Sequence, residues 1–317
     1  MIFLMMGAGG VGGYFGARLA AAGADVGFVA RGVHLEAIRA RGLAVRSALG
    51  DVTAYPARAE ADPRALGVPD VVVLAVKLGD TAAALEALAP VVGPGTTVVS
   101  LQNGVEAEDM LVRAFGRERA AGGVAYIGAA IAAPGVIRHT GTLARIELGE
   151  LAGGSSPRID AVVAALKNAR IEAEAVPDIT GAIWRKFVFL VGLSATTTLT
   201  GRPIGEVRAD PGHRAVLAEV MAEAAAVARA RGVALPPDFV AGRLAFADTL
   251  PADMTSSMAH DAAAGKPLEV AWLSGAVVRL GRELGIETPA NRAVFEALKA
   301  RAAPGPDLIE GAREGAR

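Results

Sequence analysis

The chain has 317 residues, of which 52% are hydrophobic and 21% charged; this excludes an intrinsically disordered protein and allows a large core in two domains. Its net charge is −1, from 32 basic and 33 acidic residues, which argues against a general nucleic-acid or acidic-membrane surface. The chain has no cysteine, so disulfides, thiolate catalysis and cysteine-ligated metals are excluded. The N-terminus lacks the basic region of a signal peptide, and we predict a cytoplasmic protein that uses no metal.

The first thirty-one residues predict a strand, a glycine turn, a helix and a second strand. The apolar run 2–6 leads directly into Gly7, Gly9 and Gly12, which fit the pattern G-x-G-x-x-G. Gly7 permits the tight turn, Gly9 lets the backbone approach a pyrophosphate, and Gly12 lets the helix pack close to the strand. The helix N-terminus offers free N–H groups to the phosphates. The alternative is a turn that binds nothing. We predict that a dinucleotide binds along the turn formed by Gly7, Ala8, Gly9, Gly10, Val11 and Gly12.

The end of the second strand indicates which cofactor binds. Proteins that bind NAD place Asp or Glu about 20 residues after the glycines, where it bonds the ribose 2′-hydroxyl. This chain has Ala30-Arg31-Gly32 instead. An acid would repel a 2′-phosphate, whereas a guanidinium can grip it with two N–H groups. We therefore predict NADP(H), with Arg31 at the 2′-phosphate; the alternative is that Arg31 is a solvated loop residue.

Strands continue to alternate with helices up to about residue 115, which predicts a parallel sheet covered on both faces. Lys77 follows the apolar strand 70–76, and Asn103 follows the strand 96–101. Ligands of such sheets bind beyond the carboxyl ends of the strands. Lys77, Asn103, Arg31 and the glycine turn all fall at such ends, so we predict that they line the cofactor site.

The pattern changes after residue 120. Gly and Pro turns separate three predicted strands, at 124–127, 135–139 and 144–148. A helix at 159–167 and a last strand at 171–176 complete this part of the chain.

We place the domain boundary near Pro177, between an NADP-binding domain, 1–176, and a substrate-binding and catalytic domain, 177–317. The second domain is predicted to be helical, at 179–199, 213–231, 236–247, 255–264, 268–284 and 291–300. Its apolar-rich stretch 187–199 is too short to span a bilayer. The tail from Pro304 is rich in Pro, Gly and charge and is expected to fray. The predicted fold class is α/β, with an N-terminal Rossmann-type doubly wound sheet followed by an all-α C-terminal domain.

Several segments together resemble the ketopantoate reductase (2-dehydropantoate 2-reductase) family. They are the glycine motif, Gln102-Asn103-Gly104, Trp184-Arg185-Lys186, and Thr255-Ser256-Ser257-Met258 with Asp261 and Glu269 after it. The resemblance spans nearly the whole chain. It implies NADPH-dependent reduction of a 2-oxo acid to a 2-hydroxy acid, as in the conversion of ketopantoate to pantoate in pantothenate biosynthesis. It also implies a Rossmann domain followed by a helical domain, with the active site in the cleft between them.

Lys186 is the candidate catalytic residue. The apolar run 187–191 follows it, so its ammonium group is expected to be partly desolvated, which lowers a lysine pKa toward the range useful for general acid catalysis. The residues alone favour a lysine whose stem covers apolar surface while its charge reaches water. The resemblance implies that Lys186 donates a proton to the developing alkoxide.

The resemblance also implies roles for four other residues. Asn103 helps to hold the catalytic lysine and the cofactor, and Lys77 lies beside the cofactor. Ser257 bonds the substrate carboxylate, and Glu269 anchors the substrate and belongs to the catalytic group. Asp261 lies four residues after Ser257 on the same helix face, where it would contact the substrate-binding residues rather than the substrate itself. The lone histidines His139 and His260 receive no catalytic role.

The chain departs from the family at three positions. The family commonly carries asparagines four and eight residues after the catalytic lysine, where this chain has Leu190 and Ser194. A further family asparagine falls at Ile204. A site that loses hydrogen-bonding groups changes its substrate preference. We therefore predict that Leu190 and Ser194 line the substrate pocket and favour a 2-oxo acid with a more apolar side chain.

Three functions remain open from the sequence. The leading hypothesis is an NADPH-dependent 2-oxo acid reductase that acts on a small molecule and binds neither nucleic acid nor membrane. The second is a β-hydroxyacid dehydrogenase-like oxidoreductase, which also uses a lysine and a helical domain. The third is a non-catalytic NADPH-binding sensor. Lys186 and Glu269 favour an enzyme, and a homodimer is left open.

Overall fold

A computed structural model describes residues 1–305, so the predicted frayed tail lies outside the described residues apart from its first two positions. The chain divides into two compact units. The first comprises Met1–Asn103 and Ala107–Ala182. The second comprises Gly104–Glu106 and the described residues from Ile183 onward.

The first unit is built on a mixed ten-stranded sheet. Its strands are β1 (Ile2–Met6), β2 (Asp25–Val29), β3 (Leu43–Arg46), β4 (Val52–Ala54), β5 (Arg58–Glu60), β6 (Val71–Leu74), β7 (Thr97–Ser100), β8 (Ala120–Ala133), β9 (Val136–Gly149) and β10 (Glu172–Ala175). The strand order is β4-β3-β9-β8-β7-β6-β1-β2-β5, and β10 pairs with β9. The six strands β5-β2-β1-β6-β7-β8 are all parallel and follow the doubly wound 3-2-1-4-5-6 order. This confirms the predicted Rossmann-type sheet.

Helices cover both faces of this sheet. They are α1 (Gly10–Ala21), α2 (Gly32–Arg41), α3 (Thr81–Leu88), α4 (Ala107–Phe115) and α5 (Pro157–Asn168), with 3-10 turns at Pro63–Leu66 and Leu78–Asp80. Alternate residues of a strand point to opposite faces, and β1 divides accordingly between two separate cores. Phe3 and Met5 belong to one core, whereas Leu4 and Met6 belong to the other. Burial on both sides explains why the central strands are continuous apolar runs.

The prediction of three short strands after residue 120 was wrong. Residues 120–149 form one antiparallel hairpin of two 14-residue strands, β8 and β9. The turn expected after residue 139 is instead a bulge, because Gly128 pairs with Thr140 while Ile127 pairs with Ala144. Gly141 takes a φ of +75°, which lets the extra residues bulge out without reversing the strand.

The second unit is helical among the described residues. Its helices are α6 (Ile179–Thr200), α7 (Ile204–Ala209), α8 (Pro211–Ala230), α9 (Phe239–Thr249), α10 (Ser257–Ala263), α11 (Ser274–Glu283) and α12 (Pro289–Leu298), with 3-10 turns at Glu269–Ala271 and Lys299–Arg301. The predicted helix 268–284 is broken, since it begins with the turn Glu269–Ala271 and resumes only at Ser274. Leu268 exchanges backbone hydrogen bonds with Arg301 and Ala303, and this pairing replaces the expected first helical turn.

Helix α6 is 22 residues long and, by length and composition alone, could cross a membrane. In this protein 72% of its most apolar 18-residue window is buried inside the fold. Its apolar character is therefore that of a core helix. The Lys186 side chain projects from this helix.

Candidate active site

The glycine turn of the first unit leaves no room for side chains at three positions. Gly7 has a φ of +105°, and a Cβ there would lie 2.9 Å from the Val76 nitrogen. A Cβ on Gly12 would collide with the Gly7 carbonyl oxygen, and one on Gly10 would collide with the Ala129 carbonyl oxygen. Helix α1 therefore starts directly against the strand ends, as the motif predicts.

Gly9 faces open space instead. It is the N-cap of α1, and a Cβ built on it meets nothing within 4 Å. The first turn of α1 contains no acidic residue, and its leading N–H groups have no partner inside the helix. A helix N-terminus of this kind attracts anions through those N–H groups and its dipole. The turn thus has open space beside Gly9 and free N–H groups, which are features that the pyrophosphate of a dinucleotide requires.

The residues predicted to surround the cofactor lie along one edge of the sheet. The register pairs Met6 with Val29 on one side and with Leu74 on the other, and Leu74 pairs with Ser100. These four strands therefore end in one row, which spans about 14 Å at the usual spacing between strands. The glycine turn, Arg31, Lys77 and Asn103 follow these four ends, so the structure brings them to the same edge.

Arg31 caps α2 directly after β2, and its side chain is 67% exposed. Its Nη1 lies 3.9 Å from Oδ1 of Asp80, which is itself 53% exposed. An exposed ion pair of this length is weak, so it leaves the guanidinium available to another anion. No acid stands at Ala30 or Gly32. The edge therefore offers a cation where an NAD-binding protein offers a carboxylate.

Two polar side chains without a predicted role, Gln102 and His34, stabilise this edge of the sheet. Gln102 donates from Nε2 to the Val76 carbonyl at 3.0 Å and to the Thr81 hydroxyl at 2.9 Å, so it joins the loops after β6 and β7. Lys77 is exposed and Asn103 partly buried on those two loops. An amide directly after a buried strand is the signal that could have identified Gln102.

His34 braces the glycine turn. Its Nδ1 accepts a hydrogen bond from the Gly135 N–H at 3.0 Å, so the ring proton resides on Nε2 and is donated to the Ala8 carbonyl at 2.9 Å. The turn is thereby tied to the β8–β9 hairpin. No pattern in the sequence indicates this contact, because Gly135 lies 101 residues away.

In the second unit, Lys186 lies in the first half of α6. The buried residues Trp184, Phe187 and Val188 surround it along the helix. The Lys186 side chain keeps some exposure, yet desolvation by the surrounding protein lowers its pKa from 10.5 to about 8. The lysine therefore has the acidity that general acid catalysis requires near neutral pH.

The three positions where the chain departs from the family that it resembles differ in accessibility. Leu190 is partly exposed, four residues after Lys186. Ser194 is 1% exposed, and within residues 1–305 its hydroxyl has no hydrogen-bond partner. Ile204 is fully buried, and its N–H donates to the Met254 carbonyl at 2.8 Å. Leu190 is thus accessible to solvent, Ser194 contributes a buried hydroxyl without a partner among the described residues, and the side chain of Ile204 belongs to the core.

The C-terminal signature occupies the start of α10. Ser257 is the first residue of this helix and is exposed. Ser256 caps the helix by accepting a hydrogen bond from the Ala259 N–H at 3.0 Å. Asp261 lies 3.9 Å from the Lys266 ammonium. A short capped helix therefore presents the Ser257 hydroxyl to solvent.

Glu269 is 8% exposed and opens the 3-10 turn after α10. Arg279 of α11 donates to the carbonyl of Ala271 in the same turn at 2.9 Å. It also forms a 2.6 Å ion pair with Glu106, whose segment belongs to the second unit. The Arg279 guanidinium therefore links the Glu269 turn to the segment Gly104–Glu106.

The histidines without a predicted role make structural contacts. His139 bonds the Ser47 hydroxyl at 2.8 Å and the Leu143 carbonyl at 3.0 Å, and His260 bonds the Thr255 hydroxyl at 3.0 Å. Within residues 1–305, no three His, Asp or Glu side chains are grouped as a metal ion would need.

Two family models match the chain. Residues 3–153 match ketopantoate reductase PanE/ApbA, and residues 178–302 match the C-terminal part of the same family. A 2-dehydropantoate 2-reductase of Mesorhizobium japonicum is 34% identical over 316 residues, covering 93% of this chain and 96% of that protein.

Solved structures agree with these matches. A PanE/ApbA family ketopantoate reductase from Ralstonia eutropha is 35% identical with a TM-score of 0.86, covering 95% of this chain and 98% of that one. A D-mandelate dehydrogenase bound to NADH and anilino(oxo)acetate has a TM-score of 0.86 at 22% identity, covering 95% of this chain and 98% of that one. The second likeness shows the fold alone.

These matches confirm that the protein is an oxidoreductase acting on CH–OH and C=O groups, and they favour neither the sensor nor the β-hydroxyacid dehydrogenase alternative. The predicted cofactor, NADP(H), is that of the family. The chain belongs to the ketopantoate reductase family.

Proposed function

We propose that this protein reduces a 2-oxo acid to a 2-hydroxy acid with NADPH in the cytoplasm, with Lys186 as general acid. Ser257 and Glu269 anchor the substrate. The observation that carries the proposal is the desolvated Lys186 ammonium, whose pKa of about 8 suits proton donation near neutral pH. In support, Ser257 and Glu269 belong to the same helical unit.

The proton balance follows from Lys186. When bound, NADPH supplies a hydride to the carbonyl carbon. The Lys186 ammonium donates its proton to the carbonyl oxygen as negative charge develops there, and then regains a proton from solvent. At pH 7 a group with a pKa of about 8 is about 90% protonated, so most molecules hold the proton that the reaction needs.

The two anchors bind opposite kinds of group. The Ser257 hydroxyl can donate to a substrate carboxylate, and its exposure at the start of α10 leaves it accessible. An ionised Glu269 only accepts hydrogen bonds and would repel a carboxylate. Glu269 therefore binds a hydroxyl or ammonium donor, which orients the substrate with its carboxylate toward Ser257.

We assign cofactor binding to the first unit. The N–H groups of the glycine turn hold the pyrophosphate, Arg31 binds the 2′-phosphate, and Lys77 and Asn103 line the adjoining strand ends. Arg31 supports NADPH over NADH because only NADPH carries the group that its guanidinium can grip.

The substrate side chain meets Leu190 and Ser194. Leu190 removes an amide from this surface, which favours apolar groups. The Ser194 hydroxyl, buried and without a partner among the described residues, can still satisfy one polar group. We therefore propose that the preferred substrate is a 2-oxo acid with a mainly apolar side chain. Ketopantoate is the compound with which its kcat/KM is compared.

A panel of 2-oxo acids tests the proposal. The purified protein is mixed with NADPH or NADH and with ketopantoate, straight-chain, branched or aromatic 2-oxo acids, and the loss of reduced cofactor is followed. We expect turnover of at least one acid, with NADPH preferred. Binding of NADPH without turnover of any acid would contradict the proposal and favour a sensor.

A further inference from the structure

A chain of buried hydroxyl groups joins α6 to the start of α10. The Thr197 hydroxyl lies 2.6 Å from the Leu193 carbonyl and 2.9 Å from the Ser256 hydroxyl, and both side chains are buried. A carbonyl oxygen only accepts hydrogen bonds, so the Thr197 hydroxyl donates its single proton to the Leu193 carbonyl. Ser256 must then donate to Thr197, while it accepts from the Ala259 N–H. Each hydroxyl group in this Thr197–Ser256 link therefore has a defined direction of donation.

Helix α10 depends on such a link. It has seven residues, and a helix that short is marginal without outside support. The preceding segment is held in the same way, since the N–H groups of Ile204 and Gly205 donate to the carbonyls of Met254 and Ala252. The start of α10 is therefore positioned by contacts with α6 and α7 rather than by its own propensity.

Thr197 lies on the same helix face as Lys186. The two residues are eleven positions apart, which corresponds to three turns with an offset of about 20° and a rise of about 16 Å. A helix of this length, packed inside the unit, acts as a rigid spacer between them. The Thr197–Ser256 hydrogen bond thus joins the helix that carries Lys186 to the residue directly before Ser257.

We propose that Thr197 is a positioning residue, which holds Ser257 through the Ser256 hydroxyl so that Ser257 can bind the substrate carboxylate. The inference rests on the proposed function, because it takes Ser257 to be the carboxylate anchor. Its expected signature is a loss of substrate affinity, with the proton transfer at Lys186 left intact.

The test compares Thr197→Val with Thr196→Val. Thr196 is a matched control, since it is equally buried on the same helix but its hydroxyl bonds only carbonyls of α6. We expect Thr197→Val to raise KM for the 2-oxo acid roughly five- to tenfold, with kcat within about twofold and NADPH affinity unchanged. Thr196→Val should leave KM unchanged, and Thr197→Ser should restore it.

A double-mutant cycle then separates positioning from general loosening. If Thr197 acts through Ser257, Thr197→Val adds no further rise in KM when Ser257→Ala is already present. Ser256→Ala breaks the same link from the α10 side and replaces Thr197→Val if that variant does not fold. Equal KM values for Thr197→Val and Thr196→Val, or additive effects in the cycle, overturn the inference alone. A parent protein that turns over no 2-oxo acid overturns the proposed function, and the inference with it.

Discussion

Replacing Lys186 with methionine should make the protein more stable and much less active. Methionine keeps the length and volume of the lysine stem and removes its charge. The same charge that the reaction needs is unfavourable for folding, because the protein desolvates it. Stability and turnover should therefore move in opposite directions on this single change.

The magnitude follows from the pKa. Folding lowers the pKa of Lys186 from 10.5 to about 8. Each pKa unit corresponds to about 1.4 kcal/mol, so the charged side chain costs about 3 kcal/mol in the folded state, which we reduce to about 2 kcal/mol because the residue keeps some exposure. A gain of that size should raise Tm by roughly 4–8 °C.

The pH dependence identifies the charge as the cause. Below pH 8 the lysine is charged in both the folded and unfolded states, so the full cost is present. Above pH 10.5 it is neutral in both states, and the cost disappears. The stability gain of Lys186→Met should therefore be largest at pH 7 and should fade as the pH rises from about 8 to 10.5.

The assay combines thermal unfolding of the cofactor-free protein with steady-state kinetics. Lys186→Met should lower kcat by roughly 10²–10⁴-fold while NADPH still binds. In the parent enzyme, kcat/KM should fall about tenfold per pH unit above about 8, as the donor loses its proton. Lys167→Met, at an exposed lysine of α5, is the control and should change neither property. Turnover within a few-fold of the parent would refute the role of Lys186 as acid, and an unchanged Tm at pH 7 would refute its desolvation.

Three further predictions address the cofactor, the substrate and another desolvated group. We expect the parent protein to bind NADPH about tenfold or more tightly than NADH, and Arg31→Ala should erase most of this preference. Asp80→Asn should strengthen NADPH binding, because it removes a carboxylate that competes for Arg31. Fluorescence titration with both cofactors measures the two affinities, and equal affinities in the parent protein would contradict the role of Arg31. Leu190→Asn combined with Ser194→Asn should shift the kcat/KM preference toward ketopantoate, because each polar group of the substrate that lacks a partner in the parent pocket costs about 1–3 kcal/mol. A parent enzyme that already prefers ketopantoate would show that the predicted preference for apolar side chains is wrong. Burial raises the pKa of Glu108 from 4.5 to about 7, so Glu108→Gln should raise Tm at pH 8 but not below pH 4.5, and an equal rise at both pH values would exclude desolvation as the cause.

The amino-acid sequence by itself determined the elements around the glycine turn. A side chain at Gly7 or Gly12 would collide with atoms of the glycine turn itself or of the adjacent end of β6, so the motif alone indicates that both positions require glycine. The predicted order of apolar strands then places Lys77 and Asn103 at strand ends, because parallel strands that alternate with helices share one carboxyl edge. The Rossmann-type sheet and the helical second unit were predictable for the same reason.

Only the tertiary structure decided the elements whose form depends on pairing with another segment. The β8–β9 hairpin replaced three predicted strands because one bulge at Gly141 absorbs residues that locally look like a turn. The predicted helix at 268–284 broke because Leu268 pairs with residues more than thirty positions away. In both places backbone hydrogen bonds to another segment outweigh local propensity.

The candidate site also combines features that the sequence predicted with features that only the tertiary structure determined. The resemblance to the family identified Lys186, Ser257 and Glu269, and the apolar run 187–191 predicted a partly desolvated lysine. The extent to which the pKa of Lys186 is lowered depends on protein atoms that displace water around its ammonium group. The hydroxyl link from Thr197 to Ser256 joins residues 59 positions apart and leaves no periodic trace in the sequence. Hydrophobic period and turn chemistry are local properties and can be derived residue by residue, but desolvation and side-chain hydrogen bonds depend on which distant segments meet, and only the folded chain determines that.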